Sequence, residues 1–593
     1  MSRKAIRAWW IWISVWIGTS VAYGGPNYSL RFSSSRETYS WAHSFSMNPT
    51  IGDKLAFSSS VRLNSTLNRR KKDYWRDVNS STLSLSYPFS DRIRLSVNLS
   101  LNRQKDDLSR NKRPILTQHF SSSISWKPLP ILRISQSAGG TSDSRMGVKD
   151  RGMTYSTNFS LSPKLGGNWR GSFSFSKSGN TLKREDKNMS INASLRYNAW
   201  IKPSLNFSES RQLRKYYRIK GEDRRLESMR TCSRNVSLTF SPVTFSGIRL
   251  SDLEGNYSYK KVEDSASRDP KSPKFGSDRR IDGWSLKGDI SWSLLDGRWP
   301  MLYKVSYGRE FWDADKPSLD KLTRDLHMVF QTGFGIAPAD SISAFLSAEI
   351  RRIDTPDTNE YNDWDHLTED IRVSYSHTPP SGLNLTIAFS THRSHTVYLS
   401  GRRSAENKWS RQYSLSADLR YKLGKASISQ RYEIGADYTQ YDYDDILNPT
   451  SPKSTVYRRA SMSHRLNLPL GKATLSGSYT LRTGDSGPLY SGLTQAVIRE
   501  EATQTIGASC SYPLAKSIPF SFSYSYTRSR EYKPTAEGKK PSRDSRSRKL
   551  SANLSYKPGG SNSLQANGSR TVQYIWGRRV VRWNLLVSFT RTF

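Results

Sequence analysis

The side chains of this sequence that could do chemistry are eight histidines, two cysteines, one cluster of carboxylates and three basic runs. His43, His119, His327, His366, His377, His392, His395 and His464 are scattered along the chain, and none falls into a Ser/His/Asp arrangement. Nucleophilic catalysis needs a base within hydrogen-bond reach of its nucleophile, and no spacing here supplies that. His392 and His395 are three residues apart, so on a strand they face opposite sides and share no metal. Asp354, Asp357, Glu360, Asp363 and Asp365 crowd five carboxylates into one segment, the kind of oxygen donor that Ca²⁺ takes. Their spacing matches no calcium loop, so a solvated acidic loop is the plainer reading. No enzymatic activity, cofactor or metal is expected.

Charge is the more informative feature. Lys and Arg number 91 against 51 Asp and Glu, a formal net charge of +40. The basic runs are Arg211 to Arg225, Lys260 to Arg280, and Arg528 to Lys549. Guanidinium groups bind phosphate through paired hydrogen bonds, which makes lipid phosphates the first candidate partner. Anions or an acidic protein are the second. Nucleic acid would call for a compact basic module, and none is present, so no nucleic-acid partner is expected.

The elements that must position these groups are strands. Ile93, Leu95, Val97, Leu99 and Leu101 alternate with Arg94, Ser96, Asn98 and Ser100. Phe520, Phe522, Tyr524 and Tyr526 alternate with Ser521, Ser523, Ser525 and Thr527, and Leu383 to Ser390 repeats the pattern. Successive side chains of a strand point to opposite faces, so each segment has one apolar and one polar face. Thirteen short turns, many with Pro or Gly, fall near residues 50, 89, 128, 165, 200, 244, 297, 339, 380, 424, 470, 516 and 559. Between the resulting hairpins the chain is longer and charged, as in Arg69-Arg70-Lys71-Lys72. A β-propeller also repeats at this spacing but packs four short strands per blade. Stacked β-sandwiches would not alternate short and long connections so regularly.

Mean hydropathy is -0.68, too low for a bundle of membrane helices, each needing about 20 apolar residues. A membrane-spanning strand needs only roughly 9–11 residues with one apolar face. Aromatics stand where interfacial girdles are expected. Tyr87, Trp126, Trp169, Trp200, Trp299 and Tyr512 lie by short turns; Trp75, Trp312, Trp364, Trp409, Tyr532 and Trp576 lie by long connections. At the N-terminus Arg3, Lys4 and Arg7 precede an apolar run from Ala8 to Gly18, then Ser20 and Ala22, which reads as a cleavable signal peptide over residues 1–24. Residues 25–593 form one domain, an all-β, antiparallel up-and-down transmembrane barrel of 26–28 strands. Two cysteines cannot staple such a chain. Parity puts Cys232 and Cys510 on the lipid face at opposite heights, both as free thiols slow to meet charged reagents.

The final strand is the most specific segment. Trp583, Leu585, Val587 and Phe589 alternate, and Phe593 is the last residue. This resembles the C-terminal strand of bacterial outer-membrane β-barrel proteins; Arg591 departs from the usual apolar position. The resemblance implies an outer-membrane location, with these five residues as the signal read by the barrel-assembly machinery. It also implies contact with outer-membrane lipids, lipopolysaccharide phosphates included. The absence of a globular segment before the first strand argues against a plugged TonB-dependent receptor, a repeat-bearing assembly factor or a lipopolysaccharide-insertion barrel. In size the chain is similar to the sheath barrels of porin–cytochrome complexes, although it has no Cys-x-x-Cys-His.

Barrels of 16–18 strands already leave an aqueous channel. The expected function is therefore a transport or secretion conduit, a pore or sheath filled by its own loops or by a periplasmic or lipoprotein partner. The alternative is a structural or adhesive surface barrel closed by its loops.

Overall fold

The computed structural model describes residues 27–592, apart from 35–37, 52–53, 70–72, 108–113, 146–147, 199–201, 221–222, 269, 271–273, 296, 356–361, 492–493, 516, 536–537, 557–562 and 576–577. The signal-peptide reading, Trp200, Trp576 and Phe593 lie outside the described residues. No described helix is long and apolar enough to cross a membrane.

The alternating segments pair with their sequence neighbours all the way round, and the ends meet. Asn27–Ser34 pairs antiparallel with both Thr38–Met47 and the last strand, Arg578–Thr592. Three short segments, Thr50–Ile51, Val243–Phe245 and Thr494–Gln495, are ladders within turns and loops. The remainder is a closed, antiparallel, up-and-down barrel of 28 strands, the upper end of the expected range. Closure leaves no exposed edge, the condition for a sheet in a bilayer, where no water satisfies a free amide.

All thirteen short turns fall between strands that pair with each other. Two of the shortest connect Leu423 to Ala426 and Leu470 to Ala473. Gly424 (φ 58°) and Gly471 (φ 60°) take the left-handed conformation there, which two-residue hairpins favour.

The other connections differ from expectation. Several are very short, because strands continue into what the sequence marks as loop. Pro203–Lys220 pairs with Asp223–Phe240 along its whole length, and Ile518–Thr535 with Gly538–Tyr556. So the basic runs of 211–225 and 528–549 stand mostly on strand walls. Beyond the bilayer a ladder still satisfies its backbone, but nothing there demands apolar residues, so the apolar alternation stops before the strand does. Parity then divides the charges. Arg528, Arg530, Arg546 and Arg548 share the outer ladder with Tyr524 and Leu550, whereas Arg543 and Lys549 share the inner one with Ser551.

Outside, Leu95, Leu99 and Leu101 are each about two-fifths exposed, as lipid-facing residues must be. Inside, hydroxyl ladders join strands: Ser84–Asn98 at 2.5 Å, Ser137–Ser156 at 2.7 Å, Ser343–Ser374 at 2.7 Å. Each such cross-strand pair contributes on the order of 0.2–1 kcal/mol. No described side chain is fully buried, so no packed core fills the barrel. Every extensive contact among strands and short helices joins neighbouring strands or a short helix to a nearby strand, so none of these elements crosses the lumen. With 28 strands spaced about 4.8 Å and tilted about 40°, the perimeter is roughly 175 Å and a round backbone ring about 55 Å across.

The wall has several points of close approach, and Gly139 stands at one of them. A Cβ on Gly139 would lie 1.9 Å from the carbonyl oxygen of Phe120 and 2.7 Å from Cα of Ser121. The obstacle is backbone, which cannot swing aside. Gly139→Ala is expected to destabilise the folded barrel by about 1–3 kcal/mol, in the range of overpacking substitutions. Gly140→Ala, whose Cβ meets nothing within 4 Å, is the matched control. Equilibrium urea unfolding in detergent micelles compares the two, and equal midpoints would refute the close approach.

Candidate functional site: the lumen wall and the barrel seam

The described residues expected to carry the assembly signal lie along the seam that closes the barrel. Leu585, Val587 and Phe589 stand opposite Ser34, Phe32 and Leu30. On the other side they face Gly568, Ala566 and Leu564. Trp583 shares that outer ladder, 63% exposed, with the Arg570 guanidinium 5.1 Å from its ring. The four described residues thus form one lipid-facing stripe.

The histidines are not brought together. His392 points inward and bonds Asp370 (2.7 Å), while His395 points outward, stacked on Trp409 (4.1 Å) and bonded to Asp442 (2.9 Å). His377 bonds Asp340 (2.8 Å), and His43 and His464 lie on the outer ladder. Of the acidic segment, Asp357 and Glu360 lie outside the described residues. Asp365 is held by Arg352, Asp354 lies 3.8 Å from Arg324, and Asp363 accepts the Thr355 N–H. No group of three or more metal-ligating side chains converges among the described residues.

The aromatic girdles need one correction. Tyr87, Trp126, Trp169, Trp299, Tyr512, Trp75, Trp409 and Tyr532 share the outer ladder as expected. Trp312 and Trp364 instead take lumen parity, opposite the buried Ile281 and Ile353. There they form small apolar contacts at the inner rim, with the Arg279 and Lys321 cations over the Trp312 ring.

The lumen face divides into two arcs. From strand Arg279–Leu294 onward several of its cations are paired with carboxylates, while Arg372, Arg420, Arg465 and Arg482 stand exposed with no ion pair among the described residues. Lys304 meets Asp289 (2.6 Å), Arg351 meets Asp325 (3.2 Å), and Arg431 lies between Asp418 and Glu433 (3.6 and 3.2 Å). Arg459 continues the chain to Asp437. The other arc is different. Arg31, Arg62, Arg94, Arg133, Arg170, Arg196 and Arg249 take lumen parity, are exposed, and form no ion pair with any described residue. Arg170 and Arg196 even stand directly opposite each other in register. At the extracellular end of this arc Asp143 and Asp150 pin the Arg184 loop (3.0 and 3.1 Å).

These arginines carry a signal that a search for basic runs misses. Arg94, Arg133, Arg170 and Arg249 are each the second residue of a strand that follows a short turn. Each is a single cation, repeated at one height of the wall rather than along the sequence.

Rim loops are fixed by their own bonds. In the 442–454 loop, Asp444 is buried and accepts N–H bonds from Ser454 (2.6 Å), Lys453 (3.1 Å) and the Asn448 amide (2.9 Å). Burial alone would raise its carboxyl, but the bonds from Ser454, Lys453 and Asn448 outweigh it and hold it below the usual carboxylate range. A depressed folded value means this stabilisation is complete above the ordinary Asp range and lost as pH falls through the folded value. Asp444→Asn is expected to raise hydrogen exchange at Lys453 and Ser454 at neutral pH and to flatten its acid dependence. Unchanged exchange would refute the role.

A closed barrel with an apolar outer band and a hydroxyl-lined interior is the architecture of a bacterial outer-membrane β-barrel protein. That is the class of this chain and sets its place in the cell, the outer membrane. Neither the scan of family models nor the search of curated proteins finds a match. Solved structures with some likeness include BauA, the ferric preacinetobactin receptor from Acinetobacter baumannii, at 10% identity and TM-score 0.39, covering 96% of this chain and 80% of that one. The FrpB iron transporter from Neisseria meningitidis is similar at 9% identity and TM-score 0.38, covering 96% and 83%. The siderophore receptor PirA from Pseudomonas aeruginosa stands at 12% and 0.34, covering 96% and 80%. Likenesses of that depth carry nothing about cargo.

Proposed function

We propose that this protein is a transport or secretion conduit through the outer membrane, a sheath whose lumen receives an acidic periplasmic or lipid-anchored protein. The observation that carries the reading is the arc of unpaired, lumen-facing arginines between Arg31 and Arg249. Elsewhere on the same wall several cations, Lys304, Arg351 and Arg431 among them, have carboxylate partners, whereas the seven arginines of this arc have none among the described residues. A surface of one sign draws a partner of the other and fixes its orientation. A bore of the estimated width fits the same reading, since an open barrel this wide would breach the membrane.

Mild-detergent purification of the tagged chain from its own outer membrane tests this. A stoichiometric, acidic companion is expected, released by salt and lost when Arg94, Arg133, Arg170 and Arg196 are all changed to Gln. A barrel recovered alone that passes no steady current in planar bilayers would overturn the conduit and favour a closed structural or adhesive barrel.

A further inference from the structure

On the outer wall, the six strands Trp169–Asn180, Asp186–Tyr197, Pro203–Lys220, Asp223–Phe240, Ile248–Asp264 and Arg279–Leu294 change abruptly from apolar to cationic. The hydrogen-bonded register makes this visible as rows running across the strands. One row is Phe173, Ala193, Phe207, Val236, Tyr257 and Trp284, entirely suited to acyl chains. Two rows farther toward the extracellular end stand Lys177, Met189, Arg211, Cys232, Lys261 and Arg280. Four of those six are cations, and Arg230 and Arg234 flank Cys232 on its own strand. All of these except Arg280 line a concavity of about 450 Å³ on the outer wall.

The row between holds Glu209, whose carboxylate receives Nε of Arg211 (2.6 Å) and Nε of Arg234 (3.2 Å). This orients both guanidinium groups and leaves their terminal N–H pairs for another anion. Lys261 has Glu263 (2.8 Å) and Arg280 has Asp282 (2.7 Å), while Lys177 and Arg230 have no ion-pair partner among the described residues. Tyr259 lies under both Arg234 (5.8 Å) and Arg280 (5.4 Å), giving the cations an aromatic floor. Arg211, Arg234 and Lys261 remain about half exposed, so an approaching anion meets them without unfolding anything.

Oriented arginines with spare N–H pairs, immediately above an apolar wall, match a molecule with phosphate at its head and acyl chains below. We propose that this patch binds a phosphorylated glycolipid of the outer leaflet, with its phosphates on Arg211, Arg230, Arg234 and Lys261 and its chains against Phe207, Val236 and Tyr257. The inference is independent of what the lumen carries.

Cys232 sits in the middle of the cationic row and reports on it. The full-length mature protein carrying Cys510→Ser is reconstituted into phosphatidylcholine vesicles, and its single thiol is titrated with an anionic methanethiosulfonate. Without glycolipid the surrounding cations make this reaction faster than with a cationic analogue. Diphosphorylated lipid A in the vesicles is expected to slow it at least about tenfold, because phosphates then occupy the same cations. Arg211→Gln with Arg230→Gln abolishes that protection while the barrel stays heat-modifiable on gels. Equal rates with and without lipid A would overturn the proposal. So would equal protection by dephosphorylated lipid A, which is acyl packing alone, or by millimolar inorganic phosphate, which is an anion site without a lipid.

Discussion

Val587→Arg lowers the urea midpoint of the heat-modifiable, folded form of the barrel, whereas Asn584→Arg on the same strand leaves it unchanged. Val587 stands between Phe32 and Ala566 on the lipid face of the closing strand. An arginine at mid-depth there costs about 2–4 kcal/mol, enough to lower the folding equilibrium constant more than tenfold. Asn584 faces the lumen opposite Ser569, where an arginine stays in water. The seam is unusually sensitive because it is the one strand pairing between the two ends of the chain, with only eight residue pairs in register. Until it forms, both terminal strands present open edges. Deleting Phe593 removes no described pairing, so its effect separates recognition from stability. We expect outer-membrane levels to fall while protein refolded in detergent from urea still shifts on gels. If both forms reach the membrane at normal levels, the C-terminal motif is not an assembly signal in this chain.

The order of the fold was legible because the bilayer enforces it residue by residue. The thirteen short turns, the strand parity and the outward placement of Cys510 between Leu475 and Phe522 all follow from an apolar side chain at every second position. Where that constraint ends, so does the legibility. Strands such as Gly538–Tyr556 continue into water with Lys539, Lys540, Arg543, Arg546 and Arg548 along them, and a charged run on a strand looks like a charged loop. For the same reason Cys232 has the lipid-facing parity read from Val236 and Leu238 but not the lipid surroundings. Its neighbours across the ladder are Arg211 and Lys261, so anionic thiol reagents should find it readily, unlike Cys510. The lumen arginines escaped notice for a different reason. They are neighbours only after the sheet closes, on strands about 25–55 residues apart in sequence, and no local pattern joins them.

Purified without a partner, the barrel is expected to carry steady current in planar bilayers and to prefer anions at low salt. Arg31, Arg62, Arg94, Arg133, Arg170 and Arg196 place six cations with no ion pair among the described residues on one side of the lumen, and Arg372, Arg420, Arg465 and Arg482 add four on the other. Their reach decides the size of the effect. At 0.1 M salt the screening length is about 10 Å, so the field fills a substantial shell of a lumen a few tens of ångströms wide. At 1 M it is about 3 Å, and most of the bore is neutral solution. Reversal potentials in a KCl gradient should therefore give a chloride-to-potassium permeability ratio of about 2 near 0.1 M, falling to about 1 at 1 M. Changing the six arginines to Gln should reduce the preference at low salt without reducing the single-channel conductance at 1 M, since none of them pairs with another strand's carboxylate. Cation preference in the unaltered protein, or a preference that survives 1 M salt, would mean that the selective element is a constriction formed elsewhere. The unpaired arc would then have no role in what passes through the barrel.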